Sequence, residues 1–145
     1  MNGHKSGVIL KVSGYYQTDI ILKWQTTLTA ETILGWKDIK ETTEYGATAI
    51  ALLLMLELGD CNFAERLPQG GIGDYFLKKE VLSNNQAKNE IFLEISGIFK
   101  ESKQNSINIR INQKKKQLAK KSTNNLNVFI AIVEFTNPKA KIVKI

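Results

Sequence analysis

The 145-residue chain holds one cysteine, one histidine and two prolines. A single cysteine excludes an intramolecular disulfide framework and a Cys-rich zinc module. The single histidine, His4, lies in the polar N-terminal stretch MNGHKSG. Ser-His-Asp and Cys-His catalysis are therefore not expected, because their base would sit in a tail. The same stretch has no apolar segment of the kind a secretory signal needs. The most apolar run, Ala47 to Leu58, has 12 residues, whereas a bilayer span needs about 20. The expectation is a soluble, cytoplasmic protein with no membrane partner. Internal repeats, low-complexity tails and the signatures of helix-turn-helix, zinc-finger and RNA-recognition modules are also missing.

What is present suits one folded domain over residues 1–145. Apolar residues make up 43% of the chain and charged residues 23%, enough for a hydrophobic core. Twenty Lys and Arg against fourteen Asp and Glu give a net charge of +6. An anionic partner follows from that excess, nucleic acid first among them.

Periodicity sets the element order. VILKVSG (Val8 to Gly14) alternates as a strand, and DIILKWQTT (Asp19 to Thr27) places Ile20, Leu22 and Trp24 on one face. With GYYQT between them, residues 1–30 read as an N-terminal β-hairpin. Asp38 and Glu41 have capping-box spacing, and the helix they start runs to Leu58 before Gly59. Its second half is apolar on nearly every side, which predicts burial all round, while its first half exposes Glu41 and Glu44. The turn-rich PQGGIGD leads into a short strand, Asp74 to Leu77, and a polar connector reaches a strong strand, Ile91 to Phe99. Ile107, Ile111 and Leu118 recur at helical spacing within Ile107 to Ser122. Val128 to Phe135 is apolar on both faces and belongs inside a sheet covered on both sides. AKIVKI reads as a final edge strand, and its free edge as a possible contact for a homodimer or partner subunit. The order β-β-α-β-β-α-β predicts an α/β fold with a mixed central sheet flanked by helices.

Two acids stand out. Asp74 opens one strand of the second hairpin and Glu94 lies inside the next, so pairing would bring both to one edge of the sheet. Two carboxylates and a nearby carbonyl form a hard oxygen site suited to Mg or Mn. Such an ion activates water and offsets charge on a phosphate. Residues Asp38 to Phe135, with Gly73-Asp74-Tyr75 and Glu94-Ile95-Ser96, resemble the PD-(D/E)xK nuclease superfamily, the restriction-endonuclease-like fold. The resemblance implies a nuclease-like core over 38–135, metal-dependent hydrolysis of nucleic acid, DNA as partner, and Asp74 and Glu94 as metal ligands. It also implies a lysine two residues after the second acid, where this chain has Ser96. In some members the following helix supplies that cation. Here Arg110, Lys114 and Gln117 share a helix face, with Lys114 the leading replacement and Gln117 the alternative. Glu44 matches the accessory acid of some members. Arg110, Lys115, Lys116, Lys120 and Lys121 are the candidate phosphate contacts, sequence-independent and salt-sensitive.

Each of these residues also has a purely structural interpretation. Asp74 suits a turn cap, Glu94 the outward side of a half-covered strand, the lysines a solvated helix face, and Glu44 helix-surface charge. Trp24 and Trp36 read as core or loop anchors. Three functional readings stay open at this point: a magnesium-dependent endonuclease, a catalytically inactive relative that binds DNA or protein, and an unrelated α/β interaction module.

Overall fold

The computed structural model describes residues 4–25, 29–79, 88–121, 123 and 125–145. Ten elements follow in order: β1 (Val8–Gly14), β2 (Thr18–Leu22), α1 (Ala30–Gly35), α2 (Ile39–Leu58), β3 (Phe63–Arg66), β4 (Tyr75–Lys79), β5 (Lys88–Ile98), α3 (Ile107–Leu118), β6 (Val128–Glu134) and β7 (Lys139–Lys144). The strands form one mixed seven-stranded sheet in the order β2-β1-β7-β6-β5-β4-β3. Pairs β5–β6 and β7–β1 are parallel and the other four antiparallel. A parallel neighbour needs a crossover, and α3 supplies it between β5 and β6.

The helices cover opposite faces. Alternation along β5 sends Ile91, Leu93 and Ile95 to the α2 side, where Ala47, Ala51, Leu54 and Met55 pack against them and against Leu10, Val12, Ala131 and Ile142. Ile98, Val128, Ile130 and Ile132 face the other way and pack on Ile107, Ile111 and Leu118 of α3. Full burial of one such side chain contributes about 1.5–3 kcal/mol. The α2 stripe of small residues lets the helix lie close to the sheet. It crosses β5 at Gly97, where an added Cβ would stand 2.6 Å from the Thr43 carbonyl oxygen.

The α/β class, mixed sheet and flanking helices agree with the sequence reading, and three details differ. β7 is not an edge. It lies between β1 and β6, because the turn at Thr136–Pro138 folds it back on β6 and its Ala140 and Ile142 complete the α2-side core. Among the described residues the free edges are β2 and β3, so β7 has no open edge to offer a homodimer or partner subunit. α2 is not buried all round: Leu53 is 57% exposed, since a single sheet covers only one side of it. Two elements, α1 and β3, add to the expected order; each has too few apolar residues to show a period. Residues 26–27 of the expected second strand and 80–87 of the expected connector lie outside the described residues. Among the described residues, no helix is long and apolar enough to cross a membrane.

The crossing at Gly97 is testable. Gly97→Ala is expected to lower stability by about 1–3 kcal/mol through overpacking. Gly35→Ala meets nothing within 4 Å and is expected to leave stability unchanged or raise it by up to about 1 kcal/mol. Urea denaturation of both variants checks the difference.

Candidate functional site at the β5 edge

β4 begins at Tyr75, opposite Leu93, so the flank of β5 beyond Leu93 has no partner strand. On that flank every second residue points its peptide groups outward. The Asp74 N–H donates to the Leu93 carbonyl at 2.8 Å, the last contact of the ladder. The next outward N–H, that of Ile95, donates to Asp74 Oδ2 at 2.7 Å. The one after it, Gly97 N–H, donates to Glu44 Oε2 at 3.1 Å. Two carboxylates thus replace a missing strand. A bare buried N–H costs about 1–3 kcal/mol, and a charged acceptor makes the stronger bond. The same alternation turns the Ile95 carbonyl toward this edge.

Local sequence places the acids. Gly73 has φ +81° and stands so near the Leu93 carbonyl that a Cβ would be 2.9 Å from its oxygen, so the residue before Asp74 must be glycine. Lys121 Nζ donates to the Gly71 carbonyl and ties this loop to the end of α3. Asp38 caps α2 by accepting from the Glu41 N–H at 2.9 Å, which sets Glu44 one turn in, facing the β5 edge.

Glu94 and Ser96 lie on the α3 side of β5. Lys114 Nζ donates to Glu94 Oε1 at 2.6 Å, with the two side chains only 20% and 12% exposed. Arg110 Nη1 donates to Ser96 Oγ at 3.3 Å and Nη2 to Asn105 Oδ1 at 2.8 Å. Ser96 Oγ in turn makes a long contact of 3.5 Å to Glu44 Oε1. The start of α3 is held by Ser106 as N-cap and by Glu101, which accepts from the Ile107 N–H at 2.7 Å. The hydrogen bond from Lys139, then that from Ile107, holds the Glu101 carboxyl below the usual carboxylate range.

Asp74, Glu44, Glu94, Ser96, Lys114 and Arg110 therefore gather around residues 94–97 of β5. Arg110 turns inward and Lys121 serves the loop, whereas Lys115, Lys116, Gln117 and Lys120 point into solvent. Sequence reading missed Arg66. It ends β3 opposite Tyr75 and lines a cavity of about 310 Å³ with Glu41, Glu44, Asp74, Tyr45 and Tyr75. FAER has two adjacent apolar residues and then two charged ones, so no alternating strand pattern marked it; only the turns at Asp60 and Pro68 bounded the segment.

A second cavity of about 340 Å³ lies between the β1–β2 hairpin and α2, lined by Trp24, Trp36, Ile39 and Phe135. Its polar groups are already bonded: Thr42 to the Trp36 carbonyl, Thr43 to that of Ile39, and the Glu134 carboxylate to the N–H groups of Thr136 and Asn137. Trp24 and Trp36 stay partly exposed on its wall instead of entering the core.

Among the described residues, no three His, Cys, Asp or Glu side chains form a group able to hold a metal. Asp74 Oδ1 and Glu94 Oε2 have no other partner among them. Two carboxylates suit magnesium, which keeps much of its water shell, better than calcium, which takes six to eight oxygens. No family model, curated protein or solved structure matches the chain.

The edge-capping role separates from chemistry by substitution. In Asp74→Asn the amide oxygen still accepts from Ile95, and stability is expected to change by less than about 1 kcal/mol. Asp74→Ala leaves that N–H bare and is expected to lose about 1–3 kcal/mol. Denaturation midpoints read both, and equal losses would contradict the capping role.

Proposed function

We propose that this chain is a metal-dependent nuclease of restriction-endonuclease-like architecture, acting on phosphodiester bonds of nucleic acid, DNA first. The observation that carries the reading is the meeting of Asp74, Glu44 and the Glu94–Lys114 pair at one unpaired stretch of β5. Its order and motif resemble the PD-(D/E)xK superfamily, with Ser96 where that pattern has lysine.

Asp74 and Glu94 would hold a magnesium or manganese ion, as hard oxygen donors suit. The bound ion would supply Lewis-acid stabilisation of phosphate charge and a water of lowered pKa. Lys114 is the cation on the α3 side. At 2.6 Å from Glu94 its ammonium neutralises a carboxylate that burial would otherwise penalise. Its two remaining donors are open to a phosphate oxygen. Arg110 holds Ser96, and through it Glu44, so that the acids keep their spacing. Gln117, one turn beyond Lys114 and exposed, is the alternative to Lys114 and can contribute hydrogen bonds but no charge. Lys115, Lys116 and Lys120 are free to follow the nucleic-acid backbone without reading sequence.

A second reading is favoured by one observation. Lys114 already satisfies an oxygen of Glu94, and Ser96 cannot act as the motif lysine, so the same edge suits a non-cleaving protein that binds nucleic acid.

Cleavage of single-stranded and duplex DNA in magnesium and manganese, with EDTA controls, decides between the two. The wild type is expected to cleave only with the ion. Glu94→Gln is expected to fall to background with its fold intact, and Lys114→Met to lose about 100-fold or more. Binding without cleavage supports the second reading, and unchanged cleavage by Glu94→Gln removes this site from consideration.

A further inference from the structure

Arg66 is surrounded by acids and paired with none of them. Its cavity also holds Glu41, Glu44 and Asp74, yet among the described residues its guanidinium has no hydrogen-bond or ion-pair partner. Both Glu44 oxygens and one Asp74 oxygen already bond Ser96, Gly97 and Ile95 on β5, while the Glu41 carboxylate and Asp74 Oδ1 line the same cavity without contacting Arg66. The Arg66 backbone is fixed, since it pairs with Tyr75 and the following Leu67 N–H donates to the Asp74 carbonyl at 2.9 Å. The exposed Arg66 side chain thus brings a fork of five N–H donors to the cavity wall it shares with Asp74.

From this we propose that the cavity takes one nucleotide of an unpaired strand, with Arg66 on its phosphate and Tyr45 stacked on its base. The inference rests on the nuclease reading of the same edge and narrows the substrate to single-stranded nucleic acid. Carboxylates repel a phosphate along most of the cavity wall. Beside Arg66 the repulsion is offset, and a guanidinium grips phosphate oxygens in bidentate fashion. A base is neutral and meets no such barrier. Tyr45 is 52% exposed and braced at right angles by Trp36 with ring centroids 5.8 Å apart, a stacking surface that tolerates any base. The exposed Glu41 carboxylate can accept the amino hydrogens of a base. A volume of about 310 Å³ is at the small end of ligand pockets, and a base stacked on Tyr45 must be free of a pairing partner. With Lys114 on the far side of β5, the strand crosses the sheet edge between the two helical layers.

The test is fluorescence anisotropy in magnesium buffer, using one phosphorothioate oligonucleotide single-stranded and as its duplex, across a salt series. The wild type is expected to bind the single strand about ten-fold or more tighter than the duplex. Arg66→Ala is expected to weaken single-strand binding about ten-fold and to flatten the log–log salt slope by about 0.7, one phosphate contact. Arg66→Lys keeps the slope. Tyr45→Ala is expected to weaken binding about five-fold or more, and Tyr45→Phe to bind as wild type. Both side chains are exposed, so denaturation midpoints should match the wild type. Duplex binding as tight as single-strand binding, or an unchanged slope in Arg66→Ala, overturns this inference and leaves the nuclease reading standing. A wild type that binds neither form at low salt overturns both.

Discussion

The constraint on which the site depends is a strand that outruns its neighbour. β4 stops opposite Leu93 while β5 continues to Ile98, and the outward N–H groups of Ile95 and Gly97 need acceptors away from water. Asp74 and Glu44 supply them from the β4 turn and from α2. A structural requirement of the backbone therefore collects negative charge at one place. That charge calls for cations, and the basic third helix is the nearest source.

The two helical layers meet the edge from opposite sides. α2 comes close enough for Glu44 to reach because Gly97 has no side chain and the α2 stripe is built from alanines. α3 presents Arg110 and Lys114 to Ser96 and Glu94, its start fixed by Ser106 and Glu101. Partner groups on both sides hold the acids in place without neutralising all of them. Asp74 keeps one oxygen without a partner among the described residues, and Arg66 keeps its whole guanidinium. On the proposed function, this edge, structurally satisfied yet electrostatically incomplete, is where a phosphate and a divalent ion would be received together.

Much of this was legible in the sequence where the signal is local and periodic. The Asp38 cap, the span of α2, the start of α3, the doubly buried β6 and the placing of Glu94 inside β5 follow from spacing, whereas Asp74, expected to open β4, lies in the turn before it, since β4 starts at Tyr75. Tertiary arrangement was less visible. β7 has the composition of an edge strand, with alternating lysines, but its Ala140 and Ile142 are needed in the core and the β6 turn inserts it centrally. Leu53 and Leu56 look like core residues, although a helix on a single sheet has an outer side. The cations of α3 and its C-terminal turn looked equivalent in a row; helical phase gives Arg110 and Lys114 to the protein and leaves Lys115 and Lys116 to solvent, while beyond the helix end Lys121 bonds the Gly71 carbonyl and Lys120 is exposed. Arg66 had no local signal, because its environment is made by residues from three distant segments.

The central claim is that the β5 edge holds a divalent ion through Asp74 and Glu94. Manganese titration followed by electron paramagnetic resonance reads bound ion directly, independent of turnover. The wild type is expected to take up one manganese that magnesium displaces, and Asp74→Asn and Glu94→Gln each to lose it while folding normally. Uptake by both variants equal to that of the wild type, or none by the wild type even with a single-stranded oligonucleotide present, would contradict it.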